Sequence, residues 1–292
     1  MKKMSNITNS VSVATPLENL VERAKTGDKD VLEEIIRRIQ DKIYGLAIRM
    51  LYIPADAEDA TQEILVKVII HLGTFKGESR FDTWVYSIAS NHLLTTRKCR
   101  AERWQMTFDK CVHMIEEGTL DKANDAFIEA EQNLIVEETK LACVHYLLLC
   151  LKREVRLAVI LGEIFGVKSA EGARILGLTP AAYRQRLSRG KKLLMDFLVK
   201  RCGLVDTNNP CHCKTLAALH VKKRHIDPES LLFATHPRHP RRDGHAEDLL
   251  KELNQMARAA MLIRSHPDYA APGVFVESMK RVIDSGTFQL LG

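Results

Sequence analysis

The 292-residue sequence predicts an all-α protein, long enough for about two domains. Three observations carry this. Apolar residues recur every three or four positions through most of the first 200 residues. No stretch alternates β-branched and polar residues as a half-buried strand would. Helix-starting residues stand just ahead of several of the periodic runs.

Leu17, Leu20, Val21 and Ala24 mark a first helix, and Val31 to Met50 a second. Thr26-Gly27-Asp28 breaks the two apart. Pro54 ends that pattern, and residues 56–72 read as a third helix with Asp56, Glu58 and Asp59 at its start, where carboxylates suit the helix dipole. After a loop holding Gly73, Gly77 and Ser79, residues 80–103 read as a fourth. Periodicity fades over 104–125, which reads as an interdomain linker. Helices follow over 127–150, 154–165, 170–176 and 180–200. The expected boundaries are thus 16–103 for a first domain, 126–201 for a second and 202–292 for an extension.

Net charge is +6, and that excess gains meaning only where it is local. The opening residues MKKMSNITNSVSVATP carry two lysines with no apolar segment behind them. They read as a disordered lead-in over 1–15 rather than a secretory leader. No run approaches the roughly 18 apolar residues of a membrane helix, so no membrane partner is expected. Seven cysteines, an odd number without an export signal, argue for reduced thiols and a cytoplasmic protein.

The stretch LTPAAYRQRLSRGKK, residues 178–192, is the sharpest local signal. Thr179 can cap a helix that Pro180 opens without wasting a donor. Upstream, Ser169 can cap 170–176, and Gly177 can end it in a left-handed conformation. Two helices across such a turn make a helix-turn-helix, with Ala173, Leu176, Leu178, Tyr183 and Leu187 as its small core. Between Thr179 and Arg201 stand seven Lys or Arg and one acid, Asp196. A solvated basic face would look similar. Here cap, turn and one-sided charge agree on a helix for the DNA major groove.

Residues 56–100 carry DAEDATQEI and then F-x-G-x-S-x-F-x-T-W-x-Y-x-I-A-x-N. This resembles region 2 of bacterial RNA polymerase sigma factors of the sigma-70 family, extracytoplasmic-function type. Residues 152–198 resemble region 4, and the two matches span roughly 15–200. The resemblance implies docking of the acidic helix on core RNA polymerase through Asp56, Asp59, Gln62 and Glu63. It implies that Lys76, Ser79, Arg80 and Asn91 meet the minus-10 element as single-stranded DNA, with Arg97, Lys98, Arg100 and Arg103 on phosphates. Trp84 could stack on a base, though its spacing with Phe81, Val85 and Ile88 suits a core residue equally. Thr179, Arg184, Gln185, Ser188, Arg189 and Lys192 would face the minus-35 duplex. Tyr183, Ser188 and Lys152 depart from the usual family residues, and Gly172 sits inside a helix at a cost of about 1 kcal/mol against Ala.

The family's minimal length ends near residue 200. Beyond it, Cys202, Cys211, His212 and Cys213 form C-x8-C-H-C, a donor set suited to zinc or copper(I). A turn of reduced thiols, or a redox sensor, are the other readings. Cys143 and Cys150 read as core residues, and His236, His239 and His245 as a solvated loop. Amphipathic segments at 246–264 and 273–284 could dock on the sigma-like regions, in place of a separate anti-sigma protein. No phosphate loop, nucleophile elbow or HExxH motif suggests an enzyme or a required cofactor. Two alternatives stay open: a helix-turn-helix regulator independent of polymerase, and a metal- or redox-sensing transcription factor.

Overall fold

The computed structural model describes residues 16–96, 100–120, 129–237 and 254–284. These residues form twelve α-helices and no strand. Cys202 and Cys211 meet in an isolated backbone bridge.

Helices α1 (Leu17–Lys25), α2 (Lys29–Leu51), α3 (Pro54–Ile70) and α4 (Phe81–Thr95) form the first bundle. Asp28 caps α2 by accepting from the Val31 N–H at 3.2 Å, and Pro54 opens α3. The second half of α2, from Ile43 to Leu51, is buried all round, as expected of a helix at the centre of a domain. Its last turn ends at Tyr52, which holds φ +71° while the Ile53 N–H bonds the Leu51 carbonyl at 2.9 Å. This is the strained form of the γ-turn. Ring packing of Tyr52 on Trp104, His145, Tyr146 and Phe233 holds it there.

The fourth helix is shorter than expected and stops at Thr95, and a 3-10 turn occupies Arg100–Trp104. The expected linker contains a helix, α5 (Phe108–Leu120), with Cys111 and Ile115 buried. Only three buried positions support it, which is too few for a visible periodicity in the sequence. Helices α6 (Glu129–Leu149), α7 (Arg153–Val159), a π turn at Ile160–Ile164, α8 (Ser169–Ile175) and α9 (Pro180–Arg201) complete the second unit.

Two arginines of α7 tie that unit to the first. Arg156, 3% exposed, donates to the carbonyls of Met50 at 2.5 Å, Leu148 at 2.9 Å and Leu151 at 3.1 Å. Arg153 donates to the carbonyl of Thr96 at 2.5 Å and to both carboxylate oxygens of Glu102. Each thereby satisfies carbonyls that a helix end leaves without partners.

The extension adds α10 (Cys213–Lys222), α11 (Gln255–Arg264) and α12 (Val274–Asp284). Helix α10 was not visible as a periodic run, because it is short and follows a turn-rich stretch. Of the segment expected at 246–264, residues 246–253 lie outside the described residues. The buried carboxylate of Glu138 on α6 accepts from the N–H groups of Leu232, Phe233 and Ala234 at 3.0, 2.9 and 2.7 Å. Glu163 of the π turn joins Lys191 on α9 to Arg264 on α11. On α2, the buried Arg49 donates to Pro267 O at 2.5 Å. Its guanidinium lies between the rings of Phe165 and Tyr269.

His145 and His220 are buried where α2, α6 and the extension meet. Burial holds His145 well below the ordinary histidine range, helped by the charge of Arg49. Burial, with His225 and Lys223 nearby, lowers His220 to about 4. His236, expected in a solvated loop, stacks on Tyr44 at 5.3 Å; His239 and His245 lie outside the described residues.

These histidines set an acid limit. The unfolded chain takes up their protons near pH 6.5, whereas folded His220 does so only near 4 and folded His145 is held well below the ordinary range, so stability falls as pH drops below about 6.5. His220 alone is expected to remove about 3 kcal/mol between neutral pH and pH 4. Urea unfolding at pH 7.5, 5.5 and 4.5 should show the decline, and His220→Phe should reduce it. Equal midpoints at all three values would refute this account.

Candidate nucleic-acid interface

The turn between α8 and α9 is built as its sequence demands. Gly177 takes φ +61°, and the Leu178 N–H reaches back to the Ala173 carbonyl at 2.8 Å. Thr179 accepts from the Ala182 N–H at 3.2 Å. Ser169 is the first residue of α8 rather than its cap, which is Lys168 with no side-chain bond. The core expected from the sequence is present: Ala173 and Tyr183 are buried with Ala158, flanked by Leu176, Leu178 and Leu187.

Gly172 and Tyr183 form a matched pair. A Cβ on Gly172 would overlap the Tyr183 ring. The aromatic residue therefore requires the glycine, and the cost of glycine in α8 is offset by a buried ring whose hydroxyl reaches the Ala158 carbonyl at 3.3 Å.

Arg184, Gln185, Ser188, Arg189 and Lys192 are all exposed. At about 100° per residue, Gln185, Ser188, Arg189 and Lys192 share one third of the helix circumference. Lys191 differs, since it pairs with Glu163 at 3.0 Å. The basic run thus divides into a free face and a structural ion pair.

The loop before α4 is anchored from below. Lys25 donates to the Phe75 carbonyl at 2.7 Å, and the rings of Phe75, Phe81 and Trp84 pack at 5.2 to 5.5 Å. Trp84 is half-buried in this trio, with its ring stacked on Phe81. It takes part in the packing of this trio, as its spacing with Phe81, Val85 and Ile88 allowed. Above the trio, Lys76, Arg80 and Asn91 are exposed and Ser79 is half-buried. Arg97 and Lys98 lie outside the described residues.

Arg100 and Asp56, expected to serve DNA and polymerase respectively, hold each other at 2.6 Å. The carboxylate of Asp56 also accepts the Arg100 N–H at 3.0 Å. Asp59 and Glu63 are exposed one turn apart on α3, with Gln62 half-buried beside them.

The adjoining face of α4 is covered by α8 and the π turn. Thr83 donates to Glu171 at 2.5 Å, and Tyr86 packs on Phe165 at 5.7 Å. Sequence reasoning missed these residues. They carry no motif, and only the packing of the two units joins them.

Among the described residues, no group of three or more His, Cys, Asp or Glu is placed to hold a metal ion. Cys202, Cys211, His212 and Cys213 do not converge as expected. Cys202 and Cys211 line an apolar cavity with Phe197, Leu198 and Leu216, while His212 is exposed. Burial pushes the Cys211 thiol up to about 12 and Cys213 to about 11.

Residues 35–104 match the family model Sigma-70 region 2, and residues 141–194 match Sigma-70, region 4. The chain is 28% identical over 179 residues to RNA polymerase sigma-H factor of Pseudomonas aeruginosa, covering 61% of this chain and 91% of that protein. It is 26% identical over 192 residues to ECF RNA polymerase sigma factor SigW of Bacillus subtilis, covering 62% and 96%. It is 28% identical over 177 residues to ECF RNA polymerase sigma-E factor of Escherichia coli, covering 60% and 90%. The chain belongs to the sigma-70 family. Within it, the chain is of the extracytoplasmic-function type, carrying a helical C-terminal extension.

Two outcomes are expected. Gly172→Ala should destabilise the protein by about 1–2 kcal/mol despite the better helix propensity of Ala, and adding Tyr183→Val should recover part of the loss in thermal unfolding. A neutral single variant would refute the pairing. Arg189→Ala should weaken binding to a minus-35 duplex by about 1–3 kcal/mol with loss of base selectivity. Lys191→Ala should leave selectivity intact. An equal loss on every duplex would make Arg189 a phosphate contact only.

Proposed function

We propose that this chain is the promoter-specificity subunit of RNA polymerase, binding the core enzyme and directing initiation at promoters with minus-10 and minus-35 elements. The observation that carries this is the presence in one chain of both units, each with an exposed polar face where the resemblance puts its nucleic-acid contacts. A regulator acting on duplex DNA alone needs the second unit but has no use for the first. The chain supplies recognition, and the polymerase supplies the chemistry. No cofactor is required for that role.

Helix α9 would read the minus-35 duplex through Arg184, Gln185, Ser188, Arg189 and Lys192, with Thr179 fixing the helix start. Lys76, Ser79, Arg80 and Asn91 would hold the minus-10 strand, where a basic loop favours phosphates and makes binding salt-dependent. Asp59, Gln62 and Glu63 would steer α3 onto a basic surface of the polymerase. Asp56 acts on the same helix by holding Arg100. No described helix is long and apolar enough to cross a membrane, and a cytoplasmic location fits the role.

Distance sets a further requirement. Elements about 25 base pairs apart are separated by about 85 Å along the helix axis. A compact chain of 292 residues has a diameter of only about 50 Å. The two units must therefore separate on the polymerase. That exchanges Thr83–Glu171, the Arg153 and Arg156 contacts and the Arg49 junction for other partners. The extension, which bonds to both units, would act as an internal brake on this step.

Transcription with core polymerase and a promoter library tests the proposal. The full-length chain should yield promoter-specific transcripts. Asp59→Lys should lower affinity for core polymerase about tenfold, which is about 1.4 kcal/mol, with thermal unfolding unchanged. Tight duplex binding without any transcript would favour the polymerase-independent regulator.

A further inference from the structure

Six described cysteines are free, and among the described residues one pair has its sulfurs in contact. Cys111 Sγ on α5 lies 3.7 Å from Cys150 Sγ, just past the end of α6. Cys150 also directs its S–H to the Tyr146 carbonyl at 3.2 Å. With that hydrogen committed, the Cys111 S–H is the one aimed at the Cys150 sulfur. Cys111 is 6% exposed and Cys150 is half-buried, so a small oxidant meets Cys150 first. A disulfide requires about 2.05 Å, an approach of about 1.7 Å that side-chain rotation can supply in large part.

The position of the pair gives it a consequence. Helix α5 lies in the segment that joins the two sigma-like units. From Thr95 at the end of α4 to Glu129 at the start of α6 there are 34 residues, which extended can reach at most about 115 Å. From Thr95 to Cys111 there are 16, reaching at most about 55 Å. A bond to Cys150 fixes residue 111 to the second unit and removes the rest of the tether. The shorter reach is about half the longer one, so the units can separate less far.

We propose that Cys111 and Cys150 form a reversible disulfide that shortens the tether between the two DNA-reading units and so reduces initiation at two-element promoters. The consequence for initiation rests on the sigma-factor function proposed above. The oxidant class is a hydroperoxide, with hydrogen peroxide the simplest case. The Cys150 sulfur attacks one peroxide oxygen, the O–O bond breaks, and the leaving hydroxide takes the thiol proton as water. The Cys111 sulfur then attacks the resulting sulfenic sulfur. The S–O bond breaks, a second water leaves with the Cys111 proton, and the S–S bond forms. Two thiols lose two electrons in total and one peroxide gains them. A dithiol reverses the reaction by exchange.

The test uses the full-length chain treated with hydrogen peroxide, which is then removed with catalase before any polymerase is added. Intact mass should show the loss of two hydrogens. Peptide mapping without reductant should recover a Cys111–Cys150 peptide that dithiothreitol abolishes. Added to reduced core polymerase on a two-element promoter, the oxidised chain should yield about tenfold less transcript, within the ordinary range of conformational coupling. Dithiothreitol should restore it. Binding to a short duplex bearing only the minus-35 element should not change, because that contact does not depend on tether length. Cys150→Ala and Cys111→Ser should each transcribe normally and resist peroxide. Cys150→Ala, at the less buried position, keeps the test valid if Cys111→Ser folds poorly. A disulfide that maps elsewhere, such as Cys202 to Cys211, would overturn the site. A Cys111–Cys150 bond that leaves two-element transcription unchanged would overturn its role. If the reduced chain gives no transcript, the sigma reading fails and the consequence for initiation fails with it, while the mapping still decides whether the disulfide forms.

Discussion

A guanidinium leaves water only if something replaces the hydrogen bonds it gives up. Arg156 meets that condition at the point where the two sigma regions join. It reaches the terminal carbonyls of α2 and α6, with the carboxylate of Glu102 at 3.5 Å. Burial alone would raise the Glu102 pKa, but the hydrogen bonds and charge of Arg153, reinforced by Arg156, hold it below the ordinary range. Arg153 does the same for the end of α4. Three helices therefore end on two neighbouring side chains of α7. Removing either would strand buried carbonyls, a loss greater than the worth of an ordinary hydrogen bond. The orientation of the helix-turn-helix against the first bundle follows from this junction.

One buried apolar cluster runs through both units, and polar contacts are added to it where the units meet. Within the first bundle, α2 is surrounded by apolar side chains that water cannot replace without a large penalty. Between the units the contacts include carbonyl–arginine bonds, one threonine–glutamate bond and a few aromatic edges. Polar partners of this sort can be exchanged for water, nucleic acid or another protein at small net cost. The extension adds to the junction at Arg49, Glu138 and Glu163, each a charged group satisfied by a different segment of the tail.

Charge on α9 is likewise divided between two tasks. The exposed Arg184, Arg189 and Lys192 keep their solvent, which suits the DNA contacts proposed for them. Lys191 is held by Glu163, which also binds Arg264 of the extension. One carboxylate therefore links the back of α9 to the tail. Tyr183 shows a similar economy in the core, since its ring fills space that Gly172 leaves open.

The sequence by itself determined the helical class, most helix boundaries in the two sigma regions, the Thr179 cap, the Gly177 turn and the exposed basic face of α9. Each depends on neighbours within one or two turns, so the information is local. It also pointed to the acidic face of α3 and the basic loop before α4, through motifs whose spacing is kept whatever surrounds them. Only the tertiary structure decided that residues 108–120 are helical, that Arg100 holds Asp56, that Trp84 packs against Phe81 and that the cysteines after residue 201 do not gather around a metal. These depend on partners tens to hundreds of residues away. A thiol or an arginine has the same letter whether it faces solvent, an apolar cavity or a helix end, and burial and partner geometry alone select among those states.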